Sequence, residues 1–223
     1  MVQSSNRRST RPVGGAARAR RRADARRLAI LHAAAGIFRA RGFAAAGMRD
    51  IAVAADLSPG NLYTYFRGKN EILFFCQDRA LDRLLAALAR ARTARDPLAA
   101  RLHGLAVAHV LCLVDDVDGS AAHLEVDALP ARLRAPIVAK RDRYERGVRA
   151  LVAAGIRRGD LGPTDPTVAT RTFLGALNWT AHWFRPEGPH PADRVAGIVA
   201  DYAVRGLAPR EPAEPGENER RTA

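Results

Sequence analysis

Apolar residues recur three and four positions apart along most of this chain, and nowhere do they alternate as in a strand. Between residues 25 and 41, Leu28, Leu31, Ala35 and Phe38 share one helical face, and Gly42 ends the run. Two short helices follow, over 48–55 and 59–66. A long one is predicted from Lys69 to about Ala94, with Leu73, Cys76, Leu81, Leu84, Leu85 and Leu88 on its apolar side. Asp96-Pro97 ends it and opens a helix over 98–114. An acidic turn at 115–119 leads to a short helix at 120–128, stopped by Pro130. A long, arginine-laden helix spans 131–159, and Pro163, Asp165 and Pro166 form a linker. In 167–184, Phe173, Leu174, Leu177, Ala181 and Phe184 cover more than one face, so that helix is buried on several sides. Arg185-Pro186 and Gly188-Pro189 break the pattern before a last helix at 191–207. The fold class is all-α, with about nine helices and no strands.

Composition narrows the class. With 48% hydrophobic and 26% charged residues among 223, most of the chain builds a core. The longest nearly apolar run, 102–114, holds His103 and His109 and falls short of the roughly 20 residues a membrane span needs. The first 27 residues contain no apolar signal region, so the expected location is cytoplasmic. Cys76 and Cys112 stand 36 apart and form neither a metal-binding spacing nor a disulfide framework.

Charge changes the picture more. The formal net charge is +13, and residues 1–70 carry +11 of it, from fourteen basic residues against Asp24, Asp50 and Asp56. The polyanion-binding signal therefore lies in the first third. Arginine outnumbers lysine 34 to 2 and alanine reaches 45, a composition that marks GC-rich coding and weakens arguments from arginine choice. Residues 1–22 hold seven arginines and no acid, and read as a flexible basic arm that tracks phosphates or is a solvated tail. The segment from Ala208, with three prolines and four glutamates, reads as disordered.

The chemistry concentrates in residues 48–66, MRDIAVAADLSPGNLYTYF, two short helices around a tight turn. Ile51 and Ala55 face inward, and small Ala52 lets the second helix cross closely. Asp56 stands at the turn, where the backbone is expected to be left-handed and Asp is tolerated. Ser58 is placed as N-cap and Pro59 as first helical residue. With Leu62 and Phe66 inward, Ser58, Gly60, Asn61, Tyr63 and Thr64 point outward. Gly60 removes bulk at a groove floor, Asn61 suits an adenine edge, and Thr64 suits a thymine methyl or a phosphate. Tyr63 and Tyr65 suit phosphates and sugars, and Lys69 opens the next helix where its charge can grip a phosphate.

From about Ala23 to Gln77 the sequence resembles the TetR-type bacterial transcriptional regulators. The resemblance rests on Ile37-Phe38, Gly42-Phe43, Arg49-Asp50-Ile51-Ala52, Ser58 to Tyr63, Tyr65-Phe66, Lys69, Glu71 and Leu73. Two positions depart from it: Gly47 where a capping Ser or Thr is usual, and Asp56 where Gly is usual. The resemblance adds Arg49 to the DNA-contacting set. It implies a helix-turn-helix head at 23–70 and a ligand-binding and dimerisation body at 71–207. It also implies a homodimer on a palindromic operator, closed by a four-helix bundle from 131–159 with 167–184, or from 167–184 with 191–207.

A finer resemblance lies in Asn178-Trp179 and Trp183-Phe184-Arg185-Pro186, similar to TetR regulators that respond to acyl-CoA esters. Trp179 and Trp183 share one helix face and would line an acyl tunnel or form interface core. The arginines between 132 and 149 would meet CoA phosphates or form a solvated face with Asp142 and Glu145. His109 and Cys112 are candidate ligand contacts in the body, against the plainer reading of core residues. Val114 at the first position of a calcium-like loop cannot ligate, and His123-Leu124-Glu125 lacks a following Cys pair, so no metal is expected. No nucleophile elbow, phosphate loop or dinucleotide motif is present, so neither catalysis nor a cofactor is expected. The expectation is a ligand-responsive repressor, against the alternative of a small helical enzyme or RNA-binding protein with a basic head.

Overall fold

The computed structural model describes residues 13–114 and 126–209. Among them are eight α-helices and no strand: α1 (Val13–Ala45), α2 (Met48–Ala54), α3 (Pro59–Tyr65), α4 (Lys69–Thr93), α5 (Leu98–Val114), α6 (Ala131–Arg158), α7 (Pro166–Trp183) and α8 (Ala192–Arg205). Of the ninth expected helix, at 120–128, only Val126–Ala128 lie among the described residues, and they form a 3₁₀ turn; its earlier residues and the acidic turn lie outside them.

Helix α1 corrects the expected arm. Residues 1–12 lie outside the described residues, but the helix runs back to Val13, because Ala and Arg are good helix formers. Residues 17–22 make this extension with exposed side chains. Gly42 does not end the helix outright: its φ of 75° and ψ of 157° put a kink before the last residues. The stretch Ala17–Ala45 is long and apolar enough to cross a membrane by length and composition. Its apolar side is already used, since Ile30, Leu31, Ala34, Ala35 and Phe38 are buried in the head.

The head packs α1, α2, α3 and the start of α4 around Phe38, Phe43, Ile51, Leu62 and Phe66. The body packs α5 against α4, α7 and α8, and α6 lies against α4 and α7. Helix α7 starts on Asp165, whose carboxylate accepts the Val168 N–H at 2.8 Å, with Pro166 as first residue. Helix α6 ends at Gly159, left-handed at φ 78°, which glycine adopts without strain. Outside the core, one face of α7 and α8 exposes Val168, Trp179, Trp183, Ile198 and Tyr202. Trp179 is 63% and Trp183 48% exposed, so neither belongs to this chain's own core.

Two glycines let α6 approach its neighbours. A Cβ on Gly147 would meet the Leu88 side chain of α4, and one on Gly155 would meet Leu98 and, at 2.9 Å, Leu161. Leu98 and Leu161 are both buried, so the second site cannot relax easily. Gly155→Ala is therefore expected to destabilise the fold by about 1–3 kcal/mol through overpacking, despite the ~1 kcal/mol helix-propensity gain. Gly104→Ala, whose Cβ meets nothing within 4 Å, should keep that gain. Chemical denaturation of both variants at equal protein concentration measures the difference.

Candidate DNA-binding face and effector cavity

The head holds its reading helix through a set of backbone contacts. Gly47 offers no capping side chain, and Asp50 supplies the cap instead by accepting the Gly47 N–H at 3.1 Å. The same carboxylate pairs with Arg41 at 3.0 Å. Asp56 has φ 52°, the left-handed turn expected from its position. Its carbonyl accepts a bond from Arg26 Nη2 at 3.1 Å, so α1 braces the turn. Ser58 Oγ accepts the Asn61 N–H at 3.2 Å and Pro59 opens α3.

Around this frame Arg49, Ser58, Pro59, Gly60, Asn61, Tyr63 and Thr64 are all exposed, and Leu62 and Phe66 are buried. Tyr63 is 53% exposed. Tyr65 is half-buried and packs on the core with its ring. The Thr64 hydroxyl donates to the Asn61 carbonyl at 2.7 Å, which leaves its methyl and its lone pairs outward. Lys69 is the correction in this group. Its ammonium donates to the carbonyls of Phe43, Ala44 and Ala46 at 2.9, 2.9 and 3.1 Å, and sits 4.8 Å from the centroid of the Phe43 ring. All three donors are used inside the head, so its side chain is a clasp rather than a phosphate grip.

In the body, a cavity of about 430 Å³ lies among α4, α5, α6 and α7. Leu81, Leu84, Leu113 and Leu174 give it apolar walls. Arg141, Asp142, Glu145 and Arg171 stand around its opening, with Arg171 Nε 3.7 Å from the Glu145 carboxylate. At its deep end His109 sits between two partners: Nδ1 is 3.0 Å from the Tyr144 hydroxyl and Nε2 is 3.1 Å from Asn178 Oδ1. Burial pushes the imidazole down to about 4, against a smaller upward pull from the Asn178 bond. Burial also raises Tyr144, so both rings are neutral at physiological pH.

Of the four ligand candidates, only His109 lines this cavity. Cys112 is buried, but its thiol points to the Ala80 carbonyl of α4 at 3.6 Å. Trp179 and Trp183 share one face of α7 as their spacing requires, but that face turns away from the cavity. Asn178 and Tyr144 were missed by sequence reasoning. Each is a polar residue on an otherwise apolar stripe, which was the available signal. A larger cavity of about 720 Å³ between α7 and α8 contains Val168, Phe173 and Tyr202 and no charged side chain. It borders the exposed aromatic face, whereas the smaller cavity has convergent polar groups and is the better ligand site.

The family of bacterial regulatory proteins called tetR matches residues 30–74, and the tetracyclin repressor-like C-terminal domain matches residues 95–207. The chain belongs to the TetR family. The HTH-type transcriptional repressor KstR2 of Mycobacterium tuberculosis is 28% identical over 194 residues, 82% of this chain and 94% of that protein. The solved TetR regulator PfmR from Thermus thermophilus is 35% identical, with a TM-score of 0.71 over 80% of this chain and 98% of that one. AibR, solved with isovaleryl coenzyme A and operator DNA, is 26% identical, with a TM-score of 0.68 over 83% of this chain and 100% of that one. The TetR head and the all-α body expected from the sequence are thus both shown, and the family and these relatives are transcriptional regulators.

Two measurements follow from this TetR site. Asn61→Ala should lose about 1–3 kcal/mol of discrimination at one base pair without loss of stability, whereas Lys69→Met should lower stability and leave the salt slope of DNA binding unchanged. Gel shifts across salt and thermal unfolding separate the two. The depressed His109 pKa makes the folded state bind fewer protons than the unfolded chain between about 4 and 6.5, so stability falls as pH drops through that window. From pH 7 to 5 the loss at this residue should be on the order of 2 kcal/mol, and His109→Gln should remove that pH dependence.

Proposed function

We propose that this chain is a homodimeric, cytoplasmic repressor that holds a palindromic operator and releases it when an acyl-CoA thioester fills the body cavity. The carrying observation is the cavity itself: apolar walls, a neutral polar end, and at one opening two arginines beside Asp142 and Glu145. Its volume lies within the usual ~300–1,000 Å³ of ligand sites. An acyl chain would lie among the leucines, and CoA phosphates would meet Arg141 and Arg171 near solvent, where charge need not be buried. The acyl-CoA class also has support from AibR, whose structure contains isovaleryl coenzyme A. The family and its relatives are transcriptional regulators, which favours this reading over the enzyme and RNA-binding alternatives.

Helix α4 is the route from cavity to head. Leu81 and Leu84 touch the effector space, and Lys69 at the other end clasps the head. An effector acts only through its different affinity for the two placements of α4. The dimer would form on α7 and α8, whose Val168, Trp179, Trp183 and Tyr202 are exposed in one chain. The two reading helices would then face half-sites about 34–36 Å apart or a further turn away.

In the direct test, acyl-CoAs of four to eight carbons, the matching free acids and CoA alone are added to the protein on its own upstream DNA. Thioesters should release DNA and raise the melting temperature, and free acids should do so more weakly. Trp179→Glu should give a folded monomer with at least ten-fold weaker operator binding. Release by free acids alone, or an undisturbed dimer in Trp179→Glu, would overturn the corresponding part of this reading.

A further inference from the structure

The polar end of the cavity has a property that its size and charge do not convey. His109 comes from α5, Tyr144 from α6 and Asn178 from α7, and all three line the same space. They form a chain of hydrogen bonds with a direction. When Asn178 Oδ1 accepts, His109 Nε2 must carry the proton, and Nδ1 must accept from the Tyr144 hydroxyl. The amide nitrogen of Asn178 is then left over, with no hydrogen bond among the described residues. If the chain runs the other way, with the amide turned over, His109 Nδ1–H donates to Tyr144 and the phenol proton is left over instead. Either direction leaves an uncharged donor at the cavity, surrounded by leucines.

We infer that the His109–Tyr144–Asn178 chain reads an uncharged carbonyl oxygen of the effector, the acyl C=O next to the sulfur. This rests on the acyl-CoA reading of the cavity and adds the atom that is recognised. A donor without charge can satisfy a carbonyl at no electrostatic cost. It cannot compensate a carboxylate taken out of water, because no cation stands at the deep end. The arginines are at the opening, where they serve the phosphates. The depressed imidazole pKa agrees with this, since a protonated ring there would favour an anion. A bound acceptor pairs with the donor that either direction leaves, and so completes the hydrogen-bond chain across α5, α6 and α7.

Calorimetry with hexanoyl-CoA and its thioether, hexyl-CoA, isolates that atom, because the two differ only in C=O against CH₂. Butyl and octyl pairs cover other chain lengths. The wild-type protein should bind the thioester roughly three- to ten-fold more tightly, the range one neutral hydrogen bond supplies. A ketone analogue with CH₂ in place of sulfur should bind like the thioester. In Asn178→Ala, which removes the amide donor, the preference should shrink, and in Asn178→Ala/Tyr144→Phe, which removes both donors that the two directions leave, it should shrink towards one, each with unchanged far-UV circular dichroism. Having two variants guards against misfolding of either. Equal binding of thioester and thioether by the wild type, with DNA release intact, would overturn the carbonyl reading and leave the acyl-CoA proposal standing. A preference kept in both variants would also overturn it. No binding of either member of any pair would remove the acyl-CoA proposal itself.

Discussion

One ammonium group connects the two halves of this regulator. The kink at Gly42 leaves carbonyls at and just beyond the end of α1 without helical partners. Lys69 supplies three donors, to Phe43, Ala44 and Ala46, while it also begins α4. The geometry of the head is therefore set against the first turn of the helix that enters the body. A displacement of α4 cannot leave the head behind without breaking three charge-assisted hydrogen bonds.

The same helix is held again near its middle. Lys140 of α6 reaches Asp78 at 2.6 Å and Asp82 at 2.7 Å, both on α4. Burial alone would lower the lysine pKa, but the bonds and charges of the two carboxylates outweigh it and raise it. The cluster is partly exposed, so its contribution is modest and screened by salt. Arg141, the next residue on α6, stands at the cavity opening. The cavity wall and the clamp on α4 thus belong to the same turn of the same helix.

The helices of the body were legible because their apolar stripes are long and their ends are marked by Pro, Gly and Asp. The 98–114 helix agrees to the residue, and Asp165 and Gly159 cap as their types suggest. The turn at Asp56 was legible for the same local reason. What failed depends on distant partners. Nothing near Lys69 in sequence says that three carbonyls 23 to 26 residues earlier will accept its hydrogen bonds. The direction of the tryptophan face was also hidden, because spacing shows that Trp179 and Trp183 coincide but not which neighbour they turn to. Asn178 stands inside a sequence motif, but its bond to His109, 69 residues away, exists only in the fold.

The extension at the start of α1 carries Arg18, Arg22 and Arg26 one helical turn apart on a single face. Like charges at that spacing oppose the helix that displays them. Arg26 is relieved by the Asp56 carbonyl, but Arg18 and Arg22 are exposed beyond the head. Dissolved ions would relieve the repulsion, and the same ions weaken attraction to a phosphate backbone. Ionic strength therefore acts on this segment with two signs: it firms the helix while weakening any attraction of its arginines to a polyanion.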